Sequence, residues 1–234
     1  MKRLNVTAII LAGGVGSRMM SDIPKQHIEV LGESVLLRTV KAFDKSNLVT
    51  DIIVVSKLEE MDRVLLDLTG KTEKPCKVVV GGKCRAESAF NGFNSTSNTT
   101  DFIALHDAAR CLITPTMIDK VIKNAIDFGA ATAVCTVSDT VKITDNLGRI
   151  KATLPRNNVV RAQTPQVFSY DVYKKAIDSI DMPLSEITDD NMIVEAIGTD
   201  IVCVDLGNEN IKITTQDDLL YAEFILTKRG DYNV

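Results

Sequence analysis

Histidine is scarce in this chain: among 234 residues only His27 and His106 are present. Hydrolases that activate a serine or cysteine through a histidine base can therefore be built here in few ways, and no Gly-x-Ser-x-Gly elbow occurs. Cysteine supplies no framework either. Cys76, Cys84, Cys111, Cys135 and Cys203 are odd in number, irregularly spaced and without a Cys-x-x-Cys pair. That argues against a disulfide scaffold or a zinc site and fits reduced thiols, read most simply as small core residues, in a cytoplasmic protein. No apolar run reaches the roughly 18 to 20 residues needed to span a bilayer, so no membrane role is expected. The opening MKRLNVTAIILAGG has the basic start of a signal peptide, but its apolar part runs straight into a glycine turn and is read as a first strand. There is no excess of basic charge. With a formal net charge of −4, nucleic acid is not an expected partner, and the basic residues are read as features of a local site. Internal repeats, low-complexity tracts and clear linkers are also missing.

What is there is an alternation. The length fits one large α/β domain or two small ones. Apolar runs at Val6–Leu11, Asp51–Val55, Lys77–Val80, Phe102–Leu105, Ala131–Val137 and Ile201–Val204 read as buried strands. Helical periodicity fits Val35–Phe43, Met61–Leu68, Ala86–Phe93, Met117–Phe128, Val172–Ile180 and Leu219–Leu226. The order predicts a mainly parallel sheet with helices on both faces, which binds ligands beyond the carboxyl ends of its strands. One segment breaks the rhythm. Asp139–Ile143 and Arg149–Thr153 flank the turn residues Asn146 and Gly148 and predict a polar hairpin, within an arm at about 138–160. It either lies on its own domain or projects to be covered by a second subunit, because an isolated hairpin is marginally stable.

The strongest local signal is LAGGVGSRM at 11–19, followed by Lys25. Gly13, Gly14 and Gly16 fall where the first strand ends. There glycine lets the backbone aim several N–H groups at one anion, and Arg18 and Lys25 add full positive charges. The Gly-Lys-Ser/Thr closure of an ATPase phosphate loop is missing, and the spacing of a dinucleotide fingerprint is not met. A turn of this composition can also do no more than reverse the chain. At other strand ends stand Arg85, Asp107, Arg110, Arg156 and Lys212. Cations and carboxylates without an activated nucleophile suit phosphoryl or nucleotidyl transfer, where catalysis is mostly positioning and charge neutralisation. Asp107 is a candidate ligand for Mg²⁺, or alternatively the cap of a helix starting at Ala108. His106 is read as a structural hydrogen-bonding residue.

Taken together, LAGGVGSRM, PKQHIEVLG (24–32), GGKCRAES (81–88), HDAAR (106–110), DTVK (139–142), QTPQVF (163–168), TDDNMIVE (188–195) and NIKITTQDDL (210–219) resemble, in order, the motifs of 2-C-methyl-D-erythritol 4-phosphate cytidylyltransferases. The resemblance covers nearly the whole chain. It implies a Rossmann-like nucleotide-binding sheet in a single domain over 1–234, a homodimer joined by the arm, and Mg²⁺-dependent transfer of CMP from CTP to a sugar-alcohol phosphate in isoprenoid precursor synthesis. It also implies roles for individual residues. Arg18 and Lys25 would steady the triphosphate, with Ala12, Gly13, Gly14 and Gly16 beside it, and Gly82, Arg85 and Ser88 would recognise cytosine and ribose. Asp107 would sit at the metal and ribose position, next to Arg110 in the substrate site. Lys212, Thr140 and Arg156 would grip the acceptor phosphate, the last two from the partner's arm. The sister group, the ribitol-5-phosphate cytidylyltransferases of teichoic-acid and capsule synthesis, shares most motifs.

Two departures stand out. Cys111 replaces the proline usual after HDAAR, and Leu11-Ala12-Gly13-Gly14 replaces the Ala-Ala-Gly usual in the methylerythritol group. The second departure leans toward the ribitol type, whereas HDAAR, TDDNMIVE and NIKIT lean back. A sugar-1-phosphate nucleotidylyltransferase and a non-catalytic nucleotide-sensing module are the remaining alternatives. Lys25 and Asp107, whose loss would mark the latter, are both present.

Overall fold

The computed structural model describes residues 4–14 and 24–231, so Gly16 and Arg18 lie outside the described residues. The first strand, β1 (Val6–Leu11), is apolar and almost wholly buried. A short hairpin follows, β2 (Glu29–Val30) and β3 (Glu33–Ser34), turning through Leu31 and Gly32, both at positive φ (48° and 76°). Arg38 pins that turn by donating to the Val30 and Leu31 carbonyl oxygens at 2.8 and 3.0 Å. It stands on α1 (Val35–Asp44), whose N-terminus Ser34 caps by accepting from the Leu37 N–H.

The chain continues with β4 (Asp51–Ser56), α2 (Met61–Leu68), β5 (Cys76–Val80), α3 (Arg85–Asn94), β6 (Phe102–Asp107), α4 (Pro115–Phe128) and β7 (Ala130–Thr136). Then come β8 (Lys142–Thr144), β9 (Ile150–Thr153), β10 (Val160–Ser169), α5 (Tyr170–Asp178), α6 (Asn191–Ala196), β11 (Val202–Asp205) and α7 (Gln216–Arg229). Among the described residues, seven strands form the central sheet in the order β11-β7-β10-β6-β1-β4-β5. All neighbours are parallel except β10, which runs antiparallel between β6 and β7. The α/β class with a mostly parallel sheet is therefore as the alternation predicts. No helix among the described residues is long and apolar enough to cross a membrane.

Strand alternation divides the core in two. Ile10, Ile52 and Val54 face one layer with Leu36 and Phe43 of α1 and Ile118 and Ile122 of α4. Ile9, Ile53 and Val55 face the other with Ala89 and Phe93 of α3, Tyr173 of α5 and Val194 of α6. A third cluster seats α7 against β2 and the turn after β6. Cys111, the residue standing in place of proline, is buried there beside Leu112 and Ile225.

The polar hairpin forms as β8 and β9, and every residue of both strands is exposed. It does not lie down on its own domain. Gly148 closes the turn at φ 75°, and Asp145 Oδ1 accepts the N–H groups of Leu147 and Arg149, both at 3.0 Å. Ile143, Leu147 and Ile150 on this arm are 45%, 75% and 65% exposed. Besides the short β2–β3 hairpin, two elements were not apparent in the sequence. One is β10, whose outer half is polar and whose Pro165 sits where the register with β7 shifts; the other is the six-residue α6.

Candidate active site

The carboxyl ends of β1, β5 and β6 open on one cleft of about 780 Å³. On its first wall Ala12 leaves β1, donating its N–H to the Val55 carbonyl at 2.8 Å, and Gly13 and Gly14 follow. A Cβ on Gly14 would lie 3.6 Å from Cε of Lys25, so the lysine stem lies across the glycine turn. Lys25 Nζ donates to the Ile213 carbonyl at 3.3 Å. Two residues on, His27 Nε2 meets Glu60 Oε2 at 2.6 Å, which ties this segment to the 57–60 segment beside Gly13. Burial, with Arg63 adding to it, lowers the His27 pKa against the pull of Glu60.

The second wall is the turn from β5 into α3. Gly82 donates its N–H to Ser88 Oγ at 3.0 Å, and the same hydroxyl donates to the Cys84 carbonyl at 2.9 Å. Ser88 thus holds the turn's shape as well as lining the cleft. Any side chain on Gly82 would collide with Glu87, whose Cγ lies 2.2 Å from the position of an added Cβ.

Asp107 ends β6 at the floor. Its Oδ2 takes Lys212 Nζ at 2.9 Å and Arg110 Nε at 3.6 Å, while Oδ1 faces Arg85 Nε at 3.6 Å. Burial alone would raise its pKa, but Lys212, Arg85 and Arg110 together outweigh that and hold it well below the usual carboxylate range. The carboxylate in turn gathers three cations that would otherwise repel one another. The helix-cap reading fails: residues 108–113 form turns, and the next helix starts at Pro115 under its own cap, Thr114.

The residues that fix Asp107 come from far along the chain. Its backbone N–H donates to Thr164 Oγ1 at 3.0 Å, and the Thr164 hydroxyl lies 3.0 Å from His106 Nδ1. His106 Nε2 lies 3.4 Å from the Arg110 carbonyl, which can only accept, so Nε2 carries the proton and Nδ1 accepts from Thr164. Burial pushes the His106 pKa down to about 3, and the ring is neutral. Lys212 rides on the loop after β11. Ile213 N–H donates to the Ala109 carbonyl at 2.8 Å, and Asn210 Nδ2 donates to the Thr164 carbonyl at 2.9 Å. Arg110 Nη1 closes the ring on the Asn210 carbonyl at 2.9 Å.

Of the residues singled out from sequence, Ala12, Gly13, Gly14, Lys25, Gly82, Arg85, Ser88, Asp107 and Lys212 line this cleft, and Arg110 stands behind Asp107. Thr140 and Arg156 do not line it. Both are exposed, and Arg156 Nη1 donates to the Ser138 carbonyl at 3.1 Å at the base of the arm. Thr164, Asn210, Tyr173 and Asp190 were not singled out, although QTPQVF and TDDNMIVE contain two of them. No group of three or more histidine, cysteine, aspartate or glutamate side chains among the described residues is placed to cage a metal ion. Asp107 is a single ionised carboxylate on the cleft wall. Mg²⁺ takes one or two carboxylates and leaves the rest of its shell to water and phosphate oxygens, and at Asp107 it would share the carboxylate with Lys212, Arg85 and Arg110.

Known proteins resemble this chain over nearly its whole length. The family model described as IspD, 2-C-methyl-D-erythritol 4-phosphate cytidylyltransferase, matches residues 6–228. Proteins of that name from Lachnoclostridium phytofermentans and Clostridium perfringens are 39% and 35% identical over 231 and 219 residues, covering 97% and 93% of this chain and 98% and 97% of theirs. Among solved structures, the 4-diphosphocytidyl-2C-methyl-D-erythritol synthase of Anaerococcus prevotii superposes with a TM-score of 0.84 at 26% identity, covering 97% of this chain and all of that one. Glycine turn, Gly82–Ser88 turn, Asp107 and Lys212 converge on one cleft within a chain matched over nearly its full length: it belongs to the 2-C-methyl-D-erythritol 4-phosphate cytidylyltransferase family and is a nucleotidyltransferase enzyme.

Proposed function

We propose that the chain transfers CMP from CTP to 2-C-methyl-D-erythritol 4-phosphate, releasing pyrophosphate. An oxygen of the acceptor phosphate attacks the α-phosphorus in line as the bond to the bridging oxygen of the β-phosphate breaks, and pyrophosphate leaves with that bond's electron pair. No protein nucleophile is needed, because the attacking oxygen is already anionic near neutral pH. The enzyme's work is to bring two anions together and to balance the charge that builds up between them.

The observation that carries this reading is that Lys25 and the set of cations around Asp107 belong to one cleft. Lys25, with the backbone of Gly13 and Gly14, takes the triphosphate, and Arg18 joins it. Gly82, Arg85 and Ser88 take the cytidine. Lys212, held by Asp107 at the cleft edge, is in place before the acceptor arrives, and Arg110 supports it from behind. Asp107 would hold Mg²⁺, which when bound neutralises charge on phosphate oxygens. Thr140 and Arg156 stand outside the cleft of their own chain on an exposed arm. Their placement fits a homodimer in which each arm reaches the acceptor phosphate in the other subunit's cleft.

Pyrophosphate release tests the reaction. With CTP and Mg²⁺, methylerythritol 4-phosphate should support turnover at least about tenfold faster than ribitol 5-phosphate, the scale of discrimination by one extra or missing group in a fitted pocket. UTP, GTP or dTTP should give little. Faster turnover with ribitol 5-phosphate would reassign the acceptor, and equal use of UTP would contradict the cytidylyl assignment.

A further inference from the structure

Arg85 is gripped from behind by groups that do not touch the cleft. Its Nη1 donates to Asp190 Oδ2 at 2.7 Å, while its Nε faces Asp107. The Asp190 side chain has no solvent exposure, and its other oxygen accepts from the Tyr173 hydroxyl at 2.6 Å. Tyr173 is itself fully buried. The Asp190 N–H donates to Gln166 Oε1 at 2.9 Å, and Gln166 Nε2 donates to Asp189 Oδ2 at 3.0 Å. Each oxygen of Asp190 is thus engaged, and its backbone is fastened to β10.

A carboxylate buried this completely is a poor device for stability alone. Desolvation takes back most of what an ion pair gives, and well-packed apolar side chains do as well or better. What the arrangement supplies is direction. An arginine on the first turn of a helix, facing a cavity, otherwise samples many rotamers. Here one edge of the guanidinium is locked to Asp190 and the chain is drawn toward Asp107, which leaves the side chain 23% exposed on the cleft wall.

We infer that Asp190 and Tyr173 are positioning residues for the nucleotide: they fix the Arg85 guanidinium in the cleft wall in the orientation that CTP meets. This rests on the proposed assignment of the Gly82–Ser88 turn to cytidine. The test is calorimetric titration of CTP with Mg²⁺ and no acceptor, on wild type, Arg85→Ala, Asp190→Asn, Tyr173→Phe and the two double variants that combine Arg85→Ala with each of the others. Each single change should weaken CTP binding by about fivefold or more, within the range of coupled neighbours, and each double should bind no worse than Arg85→Ala alone. In turnover, the acceptor KM of Asp190→Asn should stay within about twofold of wild type. Tyr173→Phe removes one hydroxyl with almost no change of volume, and it carries the test if Asp190→Asn does not fold. Losses that multiply in the doubles, or singles that leave CTP affinity unchanged, would overturn the positioning role while leaving the family reaction intact. A folded wild-type protein that binds no CTP would overturn the proposed function and this inference together.

Discussion

Asp107 is one carboxylate among three cations, and the balance around it is what the chemistry uses. Lys25 lines the same cleft, its stem over glycine backbone and its Nζ on the carbonyl of Ile213, next to Lys212. Removing a preorganised charge-stabilising group of this kind costs about a hundredfold or more in kcat. Lys25→Ala should therefore lose that much turnover while its melting temperature stays near wild type, and a loss below about fivefold would make Lys25 a structural lysine only. The histidines predict a pH effect of the opposite character, on stability. His106 is held neutral, with its pKa pushed down to about 3, and His27 is lowered too. Because the folded pKa values lie below the unfolded value of about 6.5, the unfolded chain takes up protons that the folded chain refuses as pH falls from about 6.5 toward 3. Unfolding free energy should fall across that window, measured by urea titration. His106→Gln should flatten the slope, and an unchanged slope would mean that His106 does not stay neutral in the fold. Asp107 acts in the same direction only at lower pH, since its depressed pKa makes its contribution complete above the ordinary carboxylate range.

At the scale of elements, the sequence was legible where burial imposes a pattern. β1, β4, β6 and β7 lie between two helical layers, so they read as apolar runs, and the helices read through their periodic inner faces. β10 did not, because its outer half is exposed and Pro165 interrupts it, and α6 is too short to show a period. The site divides in the same way. Gly82 and Arg85 sit at the glycine turn after β5, Asp107 ends β6 and Lys25 follows the glycine-rich segment after β1, but Thr164 and Asp190 gain their roles only by packing 57 and 105 residues from the groups they hold. Packing also makes one glycine on α3 testable. A methyl at Gly92 would lie 2.5 Å from Ile9 Cγ2 and 2.9 Å from Val55 Cγ2, both in the sheet below. Gly92→Ala should destabilise the protein by about 1–3 kcal/mol through overpacking, despite the better helix propensity of alanine. Equal or greater stability in chemical denaturation would show that α3 can lift off the sheet without cost.

For the molecule as a whole, the arm is the part that one chain leaves unexplained. Ile143, Leu147 and Ile150 on it face solvent, and the residues at its base that the family resemblance assigns to the acceptor phosphate do not line the chain's own cleft. A second copy would cover the first and receive the second. Arg156 suits that task because a guanidinium can bind phosphate through two parallel hydrogen bonds, which a lysine cannot reproduce. Arg156→Lys should accordingly raise the acceptor KM more than the CTP KM, and equal rises would remove the arm from the acceptor site. The decisive measurement mixes Arg156→Ala subunits with Lys25→Ala subunits, each nearly inactive alone, and follows pyrophosphate release after exchange. If arms cross, one of the two sites in every heterodimer draws both Lys25 and Arg156 from unaltered chains, and that species regains up to about half the activity of a normal dimer by symmetry. If each site is built within one chain, every site lacks one cation, and a preparation shown to contain heterodimers stays as inactive as its parents.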